Sequence, residues 1–386
     1  IMRIAMFSDT YTPQINGVVT SINTFMRELR AKGHEVYIFG PQLKGVTEKD
    51  FEFRFQSAPY LFHTEQRLVY PYSRKLKQFK DLGIDIIHSH TPFGMGWLAL
   101  RMAKKYKLPL VHTYHTLFTE YVHYVPLVGS GIMQWVAKRV SRDYCNGCNW
   151  VITPSEAMKK ELETYGVKSE ISVIPTGIDI TMKEKGQAEA ARERYGISPE
   201  QKILMYAGRL GKEKNIDFLL RSFRKVVQKN ENCIFVIAGD GPYRKNLEWL
   251  TKALHLERKV FFTGYLNKED IASLYKAASL FIFASVTETQ GLVIGEAMDM
   301  GTPVVAVNAM GIADVIEGDK GGLASSLDVH EFSEKILTLL NDENLYQQKA
   351  AETVKIGDEM CTEIMANKLI DGYEKILATK APRHEE

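Results

Sequence analysis

Glu288–Val307, ETQGLVIGEAMDMGTPVVAV, reads as a polar loop, a helix from Gly291 to Met300, a Gly301-Thr302-Pro303 turn and a β-branched strand. A helix that returns through a tight turn into an apolar strand is half of a βα repeat, the unit from which parallel sheets covered on both faces are built. The stretch also holds two glutamates, Glu288 and Glu296, where a strand ends and a helix begins. Acids at that place raise a question about ligand chemistry.

The same alternation extends outward in both directions. MRIAMFS, EVYIFG, IDIIHSH, LPLVHTYH and NWVITPS read as strands of a first series, and KILMYAG, CIFVIAGDG, KVFFTGY, SLFIFAS, TPVVAV and GGLAS as a second. The first helix, about Val18 to Ala31, places Val18, Ile22, Phe25, Met26 and Leu29 on one face, with Gly33 just past its end. The series breaks at the polar segment between Gly177 and Gln201. The expectation is an α/β chain of two Rossmann-like doubly wound domains facing across a cleft: 1–180 joined by the C-terminal helix 363–386, and 181–362. In that last helix Ile364, Leu369, Ile370, Tyr373 and Leu377 are the candidates for packing.

A length of 386 residues suits two domains, and 45% apolar with 25% charged residues is ordinary soluble usage. No apolar run reaches the roughly 18–20 residues needed to span a bilayer, and MRIAMF reads as a strand rather than a leader, so a cytoplasmic chain is expected. Cys145, Cys148, Cys233 and Cys361 contain one C-x-x-C without a second pair, which favours reduced structural thiols over zinc. Net charge is +2, but residues 1–185 carry +7 and the remainder −5. The basic half suits an anionic surface or ligand, although solvated helix charge gives the same count. Near-neutral overall charge without a nucleic-acid-binding motif argues against nucleic acid.

Amides at the start of the helix after Gly291, around Leu292 and Val293, suit phosphate, whereas carboxylates suit sugar hydroxyls. Together they imply a sugar–diphosphate–nucleoside. A pair of acids can equally be solvated, but neighbouring motifs support the ligand reading. AGRLGKEKN places Arg209 and Lys214 on a strand-to-helix turn, where both can reach a diphosphate. AGDGP places Gly239 where backbone approaches a ligand or turns tightly, and PQINGVV places Gly17 at the start of the first helix.

GRLGKEKN, IAGDGP, FTGYL and ETQGLVIGEAMDMGTPVVA, in that order, resemble the retaining GT-B glycosyltransferases with the Glu-x7-Glu motif, the glycosyltransferase group 1 family. The resemblance covers essentially the whole chain. It implies Glu288 near the donor-sugar hydroxyls, Glu296 on the ribose, and Arg209 and Lys214 on the diphosphate with the amides of Gly17, Leu292 and Val293. It also implies Tyr265 and Leu266 at the base and His115, in HTYHT, at the reacting carbon. Thr289-Gln290 depart from the family, which usually has Phe before Gly291. The implied mechanism is front-face substitution by a hexosyltransferase. No D-x-D occurs, so no metal and no cofactor are expected, with the UDP-sugar as donor substrate.

His88, His90, His112 and His115 at strand ends raise the possibility of a metal site, but hydrogen-bonded structural histidines are the commoner case. Asp9 reads as a structural group. The segment from Leu117 to Trp135 is apolar and aromatic, with Lys138, Arg139 and Arg142 beyond it. It reads equally as a membrane-docking face or as core. HTYHTLFTEYVHYV resembles the corresponding stretch of bacterial diacylglycerol glucosyltransferases. This implies UDP-glucose as donor, diacylglycerol as acceptor in glycolipid synthesis, and a peripheral enzyme on the inner face of the cell membrane. A phosphatidylinositol-type lipid, a small soluble acceptor, or a non-catalytic nucleotide-binding module are the other readings.

Overall fold

The computed structural model describes residues 1–14, 16–60, 63–116, 130–179 and 181–380. The chain forms two compact units, Ile1–Gly177 with Thr362–Glu386, and Ile178–Cys361.

In the first unit β1 (Arg3–Phe7) leads through α1 (Gly17–Ala31) to β2 (Glu35–Pro41), β3 (Glu52–Phe55) and a hairpin of β4 (Ser57–Tyr60) and β5 (His63–Val69). Then follow β6 (Ile86–Ser89), α2 (Gly94–Tyr106), β7 (Leu110–Thr113), α3 (Ser130–Cys145), β8 (Trp150–Thr153), α4 (Glu156–Thr164) and β9 (Ile171–Val173). Seven parallel strands run in the order β3-β2-β1-β6-β7-β8-β9. β3, β9 and the hairpin carry no apolar run long enough to read from sequence, and they lie at or outside the sheet edges. α1 is capped by Asn16, whose Oδ1 accepts from Val19 N at 3.0 Å, and it buries Val19, Ile22, Phe25 and Leu29.

The C-terminal helix Thr362–Lys380 belongs to this unit. Met365, Ala366, Leu369 and Tyr373 share a buried cluster with Ile4, Met6 and Phe25, and Ile370 and Leu377 are partly buried against it. Ile364 does not pack as expected and is 40% exposed. The buried positions recur at helical spacing from Met365, and Ile364 falls off that stripe.

The second unit opens with the short helices α5 (Met182–Lys185) and α6 (Ala188–Arg194), then alternates β10 (Lys202–Ala207), α7 (Ile216–Lys229), β11 (Cys233–Ala238), α8 (Arg244–Ala253), β12 (Val260–Gly264) and α9 (Lys268–Ala277). β13 (Leu280–Phe283), α10 (Leu292–Asp299), β14 (Val304–Val307) and β15 (Gly322–Ser325) complete the sheet, with further helices after β14 and β15. The order is β12-β11-β10-β13-β14-β15, again parallel. β11, β13 and β14 are buried at every residue, as a sheet covered on both faces requires.

Gly372 lies against the indole of Trp150, which a Cβ would overlap well inside van der Waals contact. Overpacking of this kind costs about 1–3 kcal/mol. Gly372→Val should lower unfolding stability by about that amount, read from the denaturant midpoint at unchanged m-value.

Candidate functional site

In the second sheet β10 lies between β11 and β13, so connections from β10 and β13 leave toward opposite faces and their carboxyl ends frame a crevice. The loop after β10 carries Arg209 and Lys214, and the loop after β13 carries Glu288. The fold joins these two loops directly. Lys214 Nζ donates to Glu288 Oε1 at 2.5 Å, with the two side chains 16% and 24% exposed. Asn215 Nδ2 donates to Ala284 O at 3.0 Å and clamps the same loops through the backbone. Arg209 is paired with Glu213, four residues on.

The loop after β11 is tied in as well. Leu210 N donates to Asp240 O at 3.0 Å and Gly239 N to Gly264 O at 2.9 Å. A Cβ at Gly239 would collide with the carbonyl of Gly208, so only glycine lets the two loops approach this closely. Gly264 ends β12, and after it Tyr265 is 65% exposed while Leu266 packs against the core.

The helix expected from Gly291 to Met300 is α10. Gly291 is its N-cap at φ +72° and has no side chain to cap the first turn, where Leu292 and Val293 supply the leading amides. Such amides carry the positive end of the helix dipole. The preceding loop is pinned by Gly311 N, which donates to Glu288 O at 3.0 Å. Glu296, on α10, accepts from the Tyr275 hydroxyl at 2.9 Å. Burial raises its pKa, against the bond from Tyr275 and the charge of Lys268.

In the first sheet β1 lies between β2 and β6 in the same way. Asp9 follows β1; its Oδ2 accepts from Thr91 Oγ1 at 2.6 Å and its Oδ1 from Met95 N at 3.0 Å. Burial outweighs these bonds and raises its pKa to about 6. Gly17 opens α1 with no neighbour within 4 Å of where a Cβ would stand.

The four histidines are hydrogen-bonded one by one. His88 bonds Thr113 Oγ1 at 2.7 Å and the Tyr373 hydroxyl at 2.5 Å, and His112 Nδ1 bonds Ser89 Oγ at 2.9 Å. His90 Nδ1 lies 3.0 Å from His115 Nε2, and its ring stacks on His88 with centroids 4.2 Å apart. Desolvation lowers the pKa of all four, to about 3 at His112 and His115. Among the described residues no group of three His, Cys, Asp or Glu is placed to hold a metal ion.

Residues 187–355 match the glycosyl transferases group 1 family and residues 15–181 match glycosyltransferase family 4. The chain is 38% identical over 313 residues to alpha-monoglucosyldiacylglycerol synthase of Streptococcus pneumoniae, covering 79% of this chain and 71% of that one. It is 30% identical over 324 residues to the enzyme of the same name from Acholeplasma laidlawii, covering 79% and 80%. The chain belongs to the glycosyltransferase group 1 family. Its fold is GT-B: Anabaena HepE, solved with UDP and glucose, superposes with a TM-score of 0.78 at 19% identity, over 97% of this chain and all of that one.

For this glycosyltransferase, Arg209, Lys214, Glu288, Gly239, Tyr265, Leu266, Leu292, Val293 and Glu296 all lie in the second unit, and Gly17 and His115 in the first. Glu288 is bonded to Lys214 and Glu296 to Tyr275. Glu213, Asn215 and Tyr275 also take part, and none of them stands out in the sequence by spacing or composition.

The buried Asp9 ties stability to pH. Its folded pKa of about 6 lies above the unfolded value of 3.8, so its contribution is fully present below about pH 4 and lost as pH rises through 6. The stability difference between the parent and Asp9→Asn should therefore shift toward the parent by about 2.4 kcal/mol from pH 7.5 to pH 4. Urea unfolding of both proteins across that range reads this shift, and a constant difference contradicts it.

Proposed function

We propose that this glycosyltransferase is a retaining, metal-independent enzyme that moves glucose from UDP-glucose to diacylglycerol, working peripherally at the inner face of the cell membrane. The observation that carries the donor side is the Lys214–Glu288 pair, with Arg209 beside it on the same loop, at the reversal point of the second sheet. Two cations there suit a diphosphate, and the start of α10, behind a glycine N-cap, adds amides of the same sign. Glu288 then accepts from sugar hydroxyls and Glu296 from the ribose, with Tyr265 and Leu266 beside the base, Gly239 in the loop between and Gly17 contributing an amide. The two synthases at 38% and 30% identity support the sugar and acceptor.

In the reaction the acceptor hydroxyl oxygen bonds to the anomeric carbon on the face that the phosphate leaves. Its proton passes to the departing phosphate oxygen. Arg209 and Lys214 stabilise the charge that grows on that phosphate, in place of a metal ion. His115 is assigned to the reacting carbon on the resemblance of HTYHT.

The acceptor side is supported by α3. Leu117–Gly129, most of the aromatic stretch, lie outside the described residues, but Ile132 and Trp135 on α3 are 63% and 60% exposed, with Val136 and Val140 beside them. The Arg139 guanidinium covers the Trp135 ring at 5.6 Å. This apolar stripe faces water, flanked by Lys138, Arg139 and Arg142, which fits an anionic bilayer surface better than a core.

Arg209→Ala and Lys214→Ala should each lower kcat by about 10²-fold, as removal of one preorganised charge stabiliser does. Turnover of radiolabelled UDP-glucose into extractable lipid, run with and without EDTA, is the measurement. Near-parental rates in both variants, or loss of activity on chelation, would overturn the assignment.

Reversing Lys138, Arg139 and Arg142 to glutamate should abolish sedimentation with phosphatidylglycerol vesicles, since each cation at such a surface is worth about 1 kcal/mol. UDP affinity by calorimetry should not change. A charge-reversed variant that still sediments and glycosylates diacylglycerol at the parental rate points to a soluble acceptor.

A further inference from the structure

Arg209 and Glu213 stand four residues apart, but not on a helix. Between them the chain bends through Gly211, at φ −107° and ψ 156°, into a single 3₁₀ turn, Lys212–Lys214. That bend folds the Glu213 side chain back over the loop, where it is 11% exposed and paired with the Arg209 guanidinium. A Cβ at Gly211 would fall on both Glu213 carboxylate oxygens. The glycine is therefore needed for the space above it rather than for its backbone angles, which any residue adopts. The rest of the loop is fixed: Tyr206 OH donates to Arg209 O at 3.2 Å, Lys214 N to Gly211 O at 3.2 Å, and Ser285 Oγ approaches Glu213 O at 3.5 Å.

We propose that Glu213 is a positioning residue for the transfer reaction, holding the Arg209 guanidinium in the orientation from which it meets the donor diphosphate, with Gly211 reserving the space for that carboxylate. The proposal rests on the donor-site reading given above. A guanidinium is a rigid fork of five donors, so a carboxylate at one edge fixes the direction of the others. An arginine side chain otherwise samples many rotamers, and the ion pair keeps the guanidinium aligned on the leaving phosphate as charge develops there. The charge balance is consistent with this use. Arg209 is paired with Glu213 and Lys214 with Glu288, and Lys212 leaves the loop with a net positive charge toward a dianionic diphosphate.

The test is a double-mutant cycle with a glycine variant. Glu213→Ala should lower kcat by about 10–100-fold while changing UDP affinity by less than about threefold, because an orienting contact matters most where charge develops on the leaving phosphate. Glu213→Gln, which keeps an acceptor oxygen at the same place, should recover most of that loss. Arg209→Ala/Glu213→Ala should be no slower than Arg209→Ala alone, since the carboxylate acts through the guanidinium. Gly211→Ala leaves the backbone unstrained but displaces the carboxylate, and should reproduce the kcat loss of Glu213→Ala at parental thermal stability. UDP calorimetry and UDP-glucose turnover on diacylglycerol vesicles supply the readouts. Additive effects in the double variant, or parental turnover in both Glu213→Ala and Gly211→Ala, overturn the proposal. Near-parental turnover of Arg209→Ala, or a parental chain that neither binds UDP nor consumes UDP-glucose, overturns the donor reading itself and this proposal with it.

Discussion

A parallel sheet wound in two directions has one place where adjacent strands send their connections to opposite faces, and most of the polar chemistry described here follows from that constraint. In the second unit the place is between β10 and β13, in the first between β1 and β6. Loops leaving such neighbours diverge, so the backbone cannot close the gap and side chains must. In the second unit Lys214 and Glu288 close it, with Asn215 clamped to Ala284. In the first, Asp9 draws in the Thr91 hydroxyl and the Met95 amide. The same reversal thus produces a partly exposed ion pair in one unit and a buried carboxylate in the other.

The difference lies in exposure. Lys214 and Glu288 keep a share of their surface in water, so the pair can be exchanged for a ligand without an unpaired charge being left in the interior. Asp9 is shut away, and its two hydrogen bonds do not offset the loss of solvent, so its carboxyl holds its proton to about pH 6. A buried group of that kind fixes loop geometry, whereas a partly wet ion pair leaves the loop available for binding. Glycines set how closely the second unit's loops approach: Gly239 against the Gly208 carbonyl, and Gly311 against the Thr289 carbonyl.

Much of this was readable in the sequence because the residues follow strand ends. Arg209, Lys214 and Glu288 stand in the loops that follow apolar strands and Glu296 on the helix after the last of these loops, and strand ends in a parallel sheet lie on one side of it. Glu213 was not readable, because a glutamate in GRLGKEKN looks like any solvated acid until the bend at Gly211 is known. Tyr275 was hidden because its hydroxyl meets Glu296 from a different helix, which no local spacing encodes. β3 and β9 are short strands placed at the sheet edges and the β4–β5 hairpin is a separate two-stranded sheet, so none carries the buried apolar run that marks the central strands. α3 was ambiguous for a physical reason: an amphipathic stripe has the same period whether it faces a core or water, and only the exposure of Ile132 and Trp135 distinguishes the two.

The histidines bear on how a proton moves. Desolvation pushes His115 and His112 down to about 3, and His88 and His90 well below the ordinary value, so all four are neutral at physiological pH. A neutral imidazole can hold or orient a hydroxyl, and its bond to His90 fixes how the His115 ring lies. As a general base, however, a group with a pKa near 3 is weak, because the best proton acceptor titrates close to the working pH. A secondary phosphate near 6 is the stronger base at neutral pH. If His115 stands at the reacting carbon, as the resemblance implies, the acceptor proton is better taken by the leaving phosphate, and the imidazole contributes orientation. On that reading these imidazoles, kept neutral by desolvation, orient the acceptor rather than carry its proton.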